Sequence, residues 1–251
     1  MNPSPDQQKL LEILEKDPFW CAYALADLEP PHVDFTHWYL QDDSLLMTYH
    51  GFQPTTIFAA GETGHLASLG AQLPPDSYQI TLKREHLDEL VDRLSLRKVV
   101  SMLRMVHSHP PNPAYPANGV VKLGVEDAPA IKALFSAQPD QPDAFHPRQM
   151  EIAPFYGIYA DQDLIAVAGT HIFSQRFGIA AVGNVFTHPE HRNQGLAGET
   201  TGAVVSALTR MGAETILLNV RSDNEPAVRC YTRLGFTPYC QYYEGWGTIN
   251  S

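Results

Sequence analysis

The sequence predicts a mixed α/β fold in which strands and helices alternate. Short apolar segments of strand length recur along the chain, and several are separated by stretches whose apolar residues are three and four apart. One such succession, over residues 179–211, runs from an apolar strand through a turn of small residues into a helix. Alternation of the two element types is typical of α/β proteins.

The segment 179–211 is the most clearly patterned part of the chain. Residues 179–187 are mostly apolar and suit a buried strand, which Pro189 ends because proline has no N–H to donate. After a turn at 192–198, Gly212 stands where the C-terminal cap of a helix is expected. The buried face of that helix is predicted from apolar residues at helical spacing: Leu196, Ala197, Val204, Ala207, Leu208 and Met211.

Composition narrows the classes of function. The chain has 251 residues, with 17 Lys and Arg against 28 Asp and Glu, so its formal net charge is −11. An acidic surface argues against nucleic acid as a partner and is compatible with an amine substrate, although many acidic proteins are simply soluble. The three cysteines form no CxxC pattern, and no apolar run approaches the ~18 residues of a membrane helix. We therefore expect a cytoplasmic protein with no membrane partner.

Residues 1–110 are predicted to form a smaller α/β domain. Four prolines within residues 107–116 mark its end, and we place a Pro-rich linker at 111–117 and a second domain at 118–251. The predicted helices of the first domain cover 5–16, 19–28, 63–72 and 84–93, and its strands cover 38–40, 45–49, 56–60, 77–82 and 98–106.

The second domain is predicted to begin with a strand at 120–123 and a helix that starts at Glu126. A hairpin of strands at 155–159 and 164–173 then leads into the strand at 179–187. Between helix and hairpin, the polar segment 136–150 is a candidate wall for an acceptor pocket, although such segments are usually plain loops.

The turn that precedes the helix is a candidate anion site. The first N–H groups of a helix have no partner within the helix, and the helix dipole favours negative charge there. Gly195 and Ala197 have little or no side chain, so a phosphate could approach the backbone. The alternative is an ordinary turn in which Gly195 supplies a positive φ.

Two ordered motifs in this region resemble those of GNAT N-acetyltransferases. The first is Arg192-x-x-Gly195-x-Ala197 after a strand that ends near a proline, which is similar to the Gln/Arg-x-x-Gly-x-Gly/Ala signature for acyl-CoA. The second is a strand followed by Asn224, Ala227 and Tyr231 before Leu-Gly-Phe. The resemblance covers about residues 118–245. The segments 183–189 and 242–245 resemble the glycine N-acyltransferase-like subgroup, in which a degenerate half of the same fold precedes the catalytic half.

The resemblance implies acetyl-CoA, or another acyl-CoA, as co-substrate. The pantetheine arm would pair with the strand backbone at Val185, Phe186 and Thr187, and Asn224 would contact the same arm. Tyr231 would be the general acid, and a strand N–H of Phe186 or Thr187 would meet the forming oxyanion. Residues of the turn would hold the pyrophosphate, with Arg192 or Arg229 adding charge: Arg192, Asn193, Gln194, Gly195, Leu196, Ala197 and Gly198.

A general base is not evident. Asn219 stands where some relatives carry a glutamate, and residues 179–187 contain no acid. The candidates that the sequence leaves open are His171, Glu151 and Glu244, and His171 is the nearest in the expected topology. We predict no metal site, because Pro189 and the turn prevent helical ligation by His188 and His191 and no third ligand is suitably spaced.

The sequence therefore predicts an acyl-CoA-dependent N-acyltransferase whose partner is a small-molecule amine. A module that binds acyl-CoA without turnover is the alternative, because the carboxylate base is missing. A purely structural protein is a third possibility. The pattern does not identify the acceptor, the acyl length or the oligomeric state.

Overall fold

The computed structural model describes residues 5–30, 32–107, 119–137 and 145–249. Its helices are α1 (Pro5–Lys16), α2 (Ala22–Ala26), α3 (Leu66–Gly70), α4 (Arg84–Leu90), α5 (Ala128–Phe135), α6 (Gln149–Ile152), α7 (Leu196–Arg210) and α8 (Glu225–Arg233). Its strands are β1 (Thr36–Gln41), β2 (Ser44–Tyr49), β3 (Thr55–Gly61), β4 (Ser77–Leu82), β5 (Ser95–His107), β6 (Val120–Leu123), β7 (Phe155–Ala160), β8 (Asp163–Ser174), β9 (Ile179–Thr187), β10 (Thr215–Arg221) and β11 (Thr237–Thr248). The predicted mixed α/β fold is confirmed. Among the described residues, no helix has both the length and the apolarity needed to cross a membrane.

The chain divides into two compact units, and each unit is made of more than one stretch of the sequence. The first unit contains residues 1–104, 221–223 and 239–251, and the second contains residues 105–220 and 224–238. The sequence predicted that the last strand would belong with the C-terminal domain, but most of β11 clusters with the first unit. The predicted linker at 111–117 lies outside the described residues.

The first unit orders its strands β1-β2-β3-β4-β11-β5. β1, β2 and β3 are antiparallel, β3 and β4 are parallel, and β4 and β11 are antiparallel. Apolar side chains of β2, β3, β4, α3 and α4 form its core, including Leu46, Ile57 and Ile80. The parallel step from β3 to β4 passes through α3, which has only five residues. The sequence predicted a longer helix there, at 63–72.

Asp27 is a buried carboxyl group in the first unit. It follows α2, is 9% exposed, and burial raises its pKa to about 7. Its ordinary pKa is 3.8. The folded state therefore holds this proton more tightly than the unfolded chain, so stability is lost as the pH rises from about 4 to about 7.

We expect Asp27→Asn to remove this pH-dependent loss. At about 1.36 kcal/mol for each pH unit between the two pKa values, the variant should be more stable than the wild type by at most about 4 kcal/mol at pH 8. Urea unfolding of both proteins between pH 4 and pH 8 measures the difference. Asp34→Asn is the control, because it makes the same change of charge at an exposed position of the same unit. A difference between Asp27→Asn and wild type that stays constant over this range would contradict the assignment.

The second unit orders its strands β10-β9-β8-β7-β6. β6 to β9 are antiparallel neighbours, and β9 and β10 are parallel. α5 packs against an apolar cluster that includes Phe155, Val167 and Phe186. α7 makes the parallel connection and contacts β7, β8 and β9. This unit presents a strand, a turn and a helix at 179–210, as the sequence predicted.

Two predictions for the second unit need correction. Met211 was expected on the buried face of α7 but is 38% exposed, because the helix has ended there and Met211 is its C-cap. Gly212 follows with φ +97°, as expected of a capping glycine. The helix α6, which begins at Gln149, was not predicted within the polar segment 136–150; residues 138–144 of that segment lie outside the described residues.

Candidate functional site

The strands β9 and β10 stop pairing before either strand ends. Their parallel pairing runs from Ile179 with Thr215 to Val182 with Leu218. β9 nevertheless continues to Thr187, and β10 continues to Arg221. The edge of β9 that faces β10 therefore offers backbone N–H and C=O groups beyond Val182 for another extended chain to pair with.

A β-bulge lies in the same part of β9. Gly183 pairs with Gly169 of β8, and Phe186 pairs with Val167, so two residues of β9 lie opposite one residue of β8. The first of these two residues, Asn184, has φ +53°. A bulge twists its strand and changes the direction in which the next backbone groups point. Val185 and Thr187 are half-buried, whereas the Phe186 side chain is buried against Phe135.

The turn before α7 is exposed and strongly curved. Asn193 has φ +63° and Gly195, the N-cap residue of α7, has φ +85°. Arg192, Asn193, Gln194 and Gly195 are all exposed, and a Cβ built on Gly195 would meet no atom within 4 Å. The exposed turn leaves open space beside the first residues of α7, where the sequence predicts an anion site. Leu196 and Ala197 are half-buried and Gly198 is buried.

The two candidate arginines differ in their contacts. The Nε atom of Arg192 donates to the carbonyl oxygen of Thr187 at 3.3 Å, and its guanidinium lies 5.8 Å from the centre of the Phe186 ring. Arg192 is therefore held between the end of β9 and the turn. Arg229 instead pairs with Glu225 one helical turn away on the surface of α8. Of the two arginines, Arg192 therefore lies closer to the turn as a source of positive charge for a bound anion.

Asn224 begins α8. Its Oδ1 accepts from the backbone N–H of Ala227 at 3.3 Å, which is the hydrogen bond of a helix N-cap. The side chain is exposed, and the cap uses its Oδ1 atom. Asn224 therefore caps α8, and this role does not exclude the predicted contact with a ligand.

Tyr231 lies near the C-terminal end of α8 and is 8% exposed. Its ring meets the edge of Phe236 at 6.2 Å between ring centres. Burial raises the pKa of its hydroxyl well above the usual value, with a smaller contribution from the neighbouring Cys230. The phenol is therefore protonated throughout the neutral range, as a general acid must be before it acts.

The three candidate bases occupy different places. His171 is on β8, and a Cβ added to Gly183 would overlap its imidazole ring, so the ring lies directly against the backbone of β9 at the point where β9 leaves β10. Glu151 is exposed on α6. Glu244 belongs to the first unit, where it accepts a hydrogen bond from Tyr242 at 2.7 Å. The imidazole of His171 thus contacts β9 where the strand leaves β10.

The described residues contain no group of three or more His, Cys, Asp or Glu side chains that could hold a metal ion. His188 instead accepts a hydrogen bond from the backbone N–H of Glu190, and its ring meets that of His191 at 5.8 Å. His107 packs edge-on against Phe236.

In the first unit, β3 and β4 also stop pairing before β3 ends, and the side chain of Trp20 occupies the edge of β3 there. β3 and β4 pair in parallel as far as Phe58 and Thr81, while β3 continues to Gly61. The Nε1–H group of Trp20, a residue that is 1% exposed, donates to the carbonyl oxygen of Ala59 at 2.8 Å. The strand edge that is left open in the second unit is here satisfied by an indole.

A family model matches one part of the chain, most of which lies in the second unit. Residues 127–236 match the model of the acetyltransferase (GNAT) family. This segment includes the bulged strand β9, the turn, α7 and α8. The match covers 110 of the 251 residues of the chain.

Two curated relatives match the chain over short segments. One is mycothiol acetyltransferase of Corynebacterium aurimucosum, 40% identical over 48 residues that make up 19% of this chain and 16% of the relative. The other is N-alpha-acetyltransferase 30 of Schizosaccharomyces pombe, 41% identical over 54 residues that make up 22% of this chain and 36% of the relative. The chain thus spans well under half the length of either relative.

A solved structure resembles most of the chain. The putative GNAT-family acetyltransferase of Novosphingobium aromaticivorans has a TM-score of 0.64 and 23% sequence identity, with 90% of this chain and 96% of that chain covered. At this level of identity the likeness concerns the fold.

Proposed function

We propose that the protein is an acyl-CoA-dependent N-acyltransferase that transfers acetyl from acetyl-CoA to the primary amine of a small molecule or amino acid. The observation that carries the proposal is the parting of β9 from β10 beside an exposed, left-handed turn at the N-terminus of α7. An extended arm with amide groups would fit the first feature, and a diphosphate would fit the second. Both relatives are named acetyltransferases, which supports acetyl as the group transferred.

The same features suggest how the chain would hold acetyl-CoA. The open space at Gly195 admits phosphate oxygens to the N–H groups from Asn193 to Gly198, with Arg192 beside them. The backbone of Val185, Phe186 and Thr187 would pair with the pantetheine arm, and the NH₂ group of Asn224 would contact it. The carbonyl oxygen of Thr187 already accepts a hydrogen bond from Arg192. The N–H group of Thr187 is therefore the better candidate for pairing with the pantetheine arm.

Acetyl-CoA would supply the acetyl group as an activated thioester. The N–H group of Thr187 would donate to the thioester carbonyl oxygen as negative charge develops there, because Phe186 lies in a hydrogen-bonded pair with Val167 of β8. The Tyr231 hydroxyl would give its proton to the sulfur of the departing thiolate. His171 would accept the proton released by the amine. An alkyl amine with a pKa of about 10 loses a proton at pH 7 at a cost of roughly 4 kcal/mol, so even a modest base would assist.

We propose that the first unit is a non-catalytic companion, as in the glycine N-acyltransferase-like subgroup. Each unit contains three antiparallel strands, then a helix and a parallel strand, which supports a degenerate repeat of one fold. Trp20 occupies the strand edge that acetyl-CoA would need in the first unit, and the five-residue α3 replaces the long α7. Calorimetry should therefore find one acetyl-CoA bound per chain.

Gly195→Asp tests the phosphate site. Aspartate enters positive φ more readily than most residues and is a good N-cap residue, so the strain at this position should be small. Its charge would repel a diphosphate at close range, and we expect the dissociation constant for acetyl-CoA to rise about tenfold or more. Isothermal calorimetry measures the affinity, and thermal unfolding checks the fold.

Gly212→Asp is the matched control for this experiment. Gly212 also has a positive φ and open space at its Cβ position, but it follows the opposite end of the same helix. Its substitution should leave acetyl-CoA affinity unchanged. Equal affinity in both variants would exclude the turn as the diphosphate site.

A module that holds acetyl-CoA without turnover is the second candidate, because β9 carries no carboxylate. Incubation with acetyl-CoA and a panel of primary amines separates the two. The transferase releases free coenzyme A with at least one amine, and the module binds acetyl-CoA but releases none.

A further inference from the structure

The side chain of Asn184 has an orientation that its neighbours determine. Its Nδ2 lies 3.3 Å from the Oε1 atom of Gln149, the first residue of α6. The same Oε1 accepts from the backbone N–H of His146 at 2.9 Å. Because a backbone N–H can only donate, this atom of Gln149 is an acceptor, and Asn184 must present its NH₂ group to it. The Oδ1 atom of Asn184 is thereby turned away from Gln149.

The Oδ1 atom is buried and has no hydrogen-bond partner among the described residues. Asn184 as a whole is 3% exposed. A buried carbonyl oxygen without a donor destabilises a fold, and in native proteins such an atom calls for an explanation. The residue also has the positive φ of the bulge, a conformation that asparagine adopts more readily than most residues. Two unfavourable features at one position of β9 indicate a functional constraint.

The position of the atom suggests which ligand would pair with it. Asn184 lies two residues beyond the last pair of β9 with β10, so it is next to the unpaired strand edge. Its neighbour Gly183 lies against the His171 ring, which only a residue without a Cβ allows. A neutral amide oxygen can hold an N–H group without taking its proton, so the nitrogen lone pair stays available for attack.

We propose that Asn184 receives the amine acceptor: its Oδ1, oriented by Gln149, accepts a hydrogen bond from the amine nitrogen. This inference rests on the proposed transferase function and adds the group that recognises the acceptor. It also gives α6 a role, because Gln149 links the segment at 145–152 to the bulge of β9.

Asn184→Gly is the direct test. Glycine keeps the positive φ of the bulge and removes the amide. With acetyl-CoA saturating, we expect the KM for the amine to rise about tenfold, as for the loss of one good hydrogen bond, while the affinity for acetyl-CoA stays within twofold. Gln149→Leu, which releases the Asn184 amide, should raise the same KM less strongly. Amine-dependent release of free coenzyme A and calorimetry with acetyl-CoA provide the two readouts.

Asp161→Gly is the matched control. Asp161 also has a positive φ, +54°, but it lies in the exposed turn between β7 and β8. This variant should match the wild type in both measurements. An unchanged KM in Asn184→Gly, or loss of its acetyl-CoA binding, overturns the proposal in favour of a structural role.

Measurements on the wild type distinguish a failure of the Asn184 proposal from a failure of the proposed transferase function. If the wild type does not bind acetyl-CoA, the proposed function fails and the inference fails with it. If it binds acetyl-CoA but acetylates no primary amine of the panel, the role of Asn184 is overturned and the binding module stands.

Discussion

Replacing Arg104 by methionine is expected to lower the free energy of unfolding by about 2–4 kcal/mol. Arg104 is 1% exposed, and its guanidinium donates to the carbonyl oxygens of Phe19 and Trp20. It also lies 5.0 Å from the ring centre of Trp20, 5.2 Å from that of Tyr23 and 5.3 Å from that of Tyr242. Methionine has nearly the same length but no donor, so buried carbonyl groups would lose their partner and the aromatic faces would lose a cation.

Urea unfolding followed by circular dichroism measures this loss. Arg97→Met is the control, because Arg97 is exposed on the same strand, β5, and its replacement should change stability by less than about 0.5 kcal/mol. Arg104→Lys should fall between the two, since lysine keeps the charge but not the planar set of donors. Equal stability of Arg104→Met and Arg97→Met would show that the guanidinium contacts contribute nothing net.

Replacing Tyr231 by phenylalanine is expected to lower kcat about a hundredfold or more. The change removes only the hydroxyl, so the packing against Phe236 and the affinity for acetyl-CoA should be kept. The raised pKa of Tyr231 adds a second expectation. Because the folded protein holds this proton more tightly than a free tyrosine does, the wild-type rate should show no loss of a general acid up to at least pH 10.

Steady-state kinetics with the best amine of the panel, from pH 6 to pH 10, gives both quantities. Tyr159→Phe is the control: it removes a hydroxyl of the same unit that bonds to Asp127 at 2.9 Å. That variant should keep the wild-type kcat. A Tyr231→Phe enzyme within threefold of the wild type would reduce Tyr231 to a packing residue.

The elements around the site could be predicted because their signals are local. Pro189, Gly195 and Gly212 lie within one segment, and each constrains its own backbone, so the end of β9 and both ends of α7 follow from neighbouring residues. The turn sequence likewise indicated an anion site. Helix lengths in the first unit were less predictable, as α3 shows, because tertiary packing limits where a short helix ends.

The partners of Asn184 and Arg104 could not be predicted. Asn184 meets Gln149 across 35 positions of sequence, and Arg104 meets Trp20 across 84. Neither pair carries a spacing that local rules recognise. His171 could accordingly be named from the sequence, whereas Asn184, one of the residues with an unpaired buried oxygen, could not.

The sequence alone determined the alternation of strands and helices and the turn at Arg192–Gly195, because turn residues and helical spacing act over a few positions. Only the tertiary structure decided that β9 leaves β10 after Val182 and that most of β11 joins the first unit. It also decided that Trp20 fills the strand edge beside Ala59. Such outcomes depend on strand pairing and burial between residues far apart in the chain, where the packing of the whole core sets the lowest free energy.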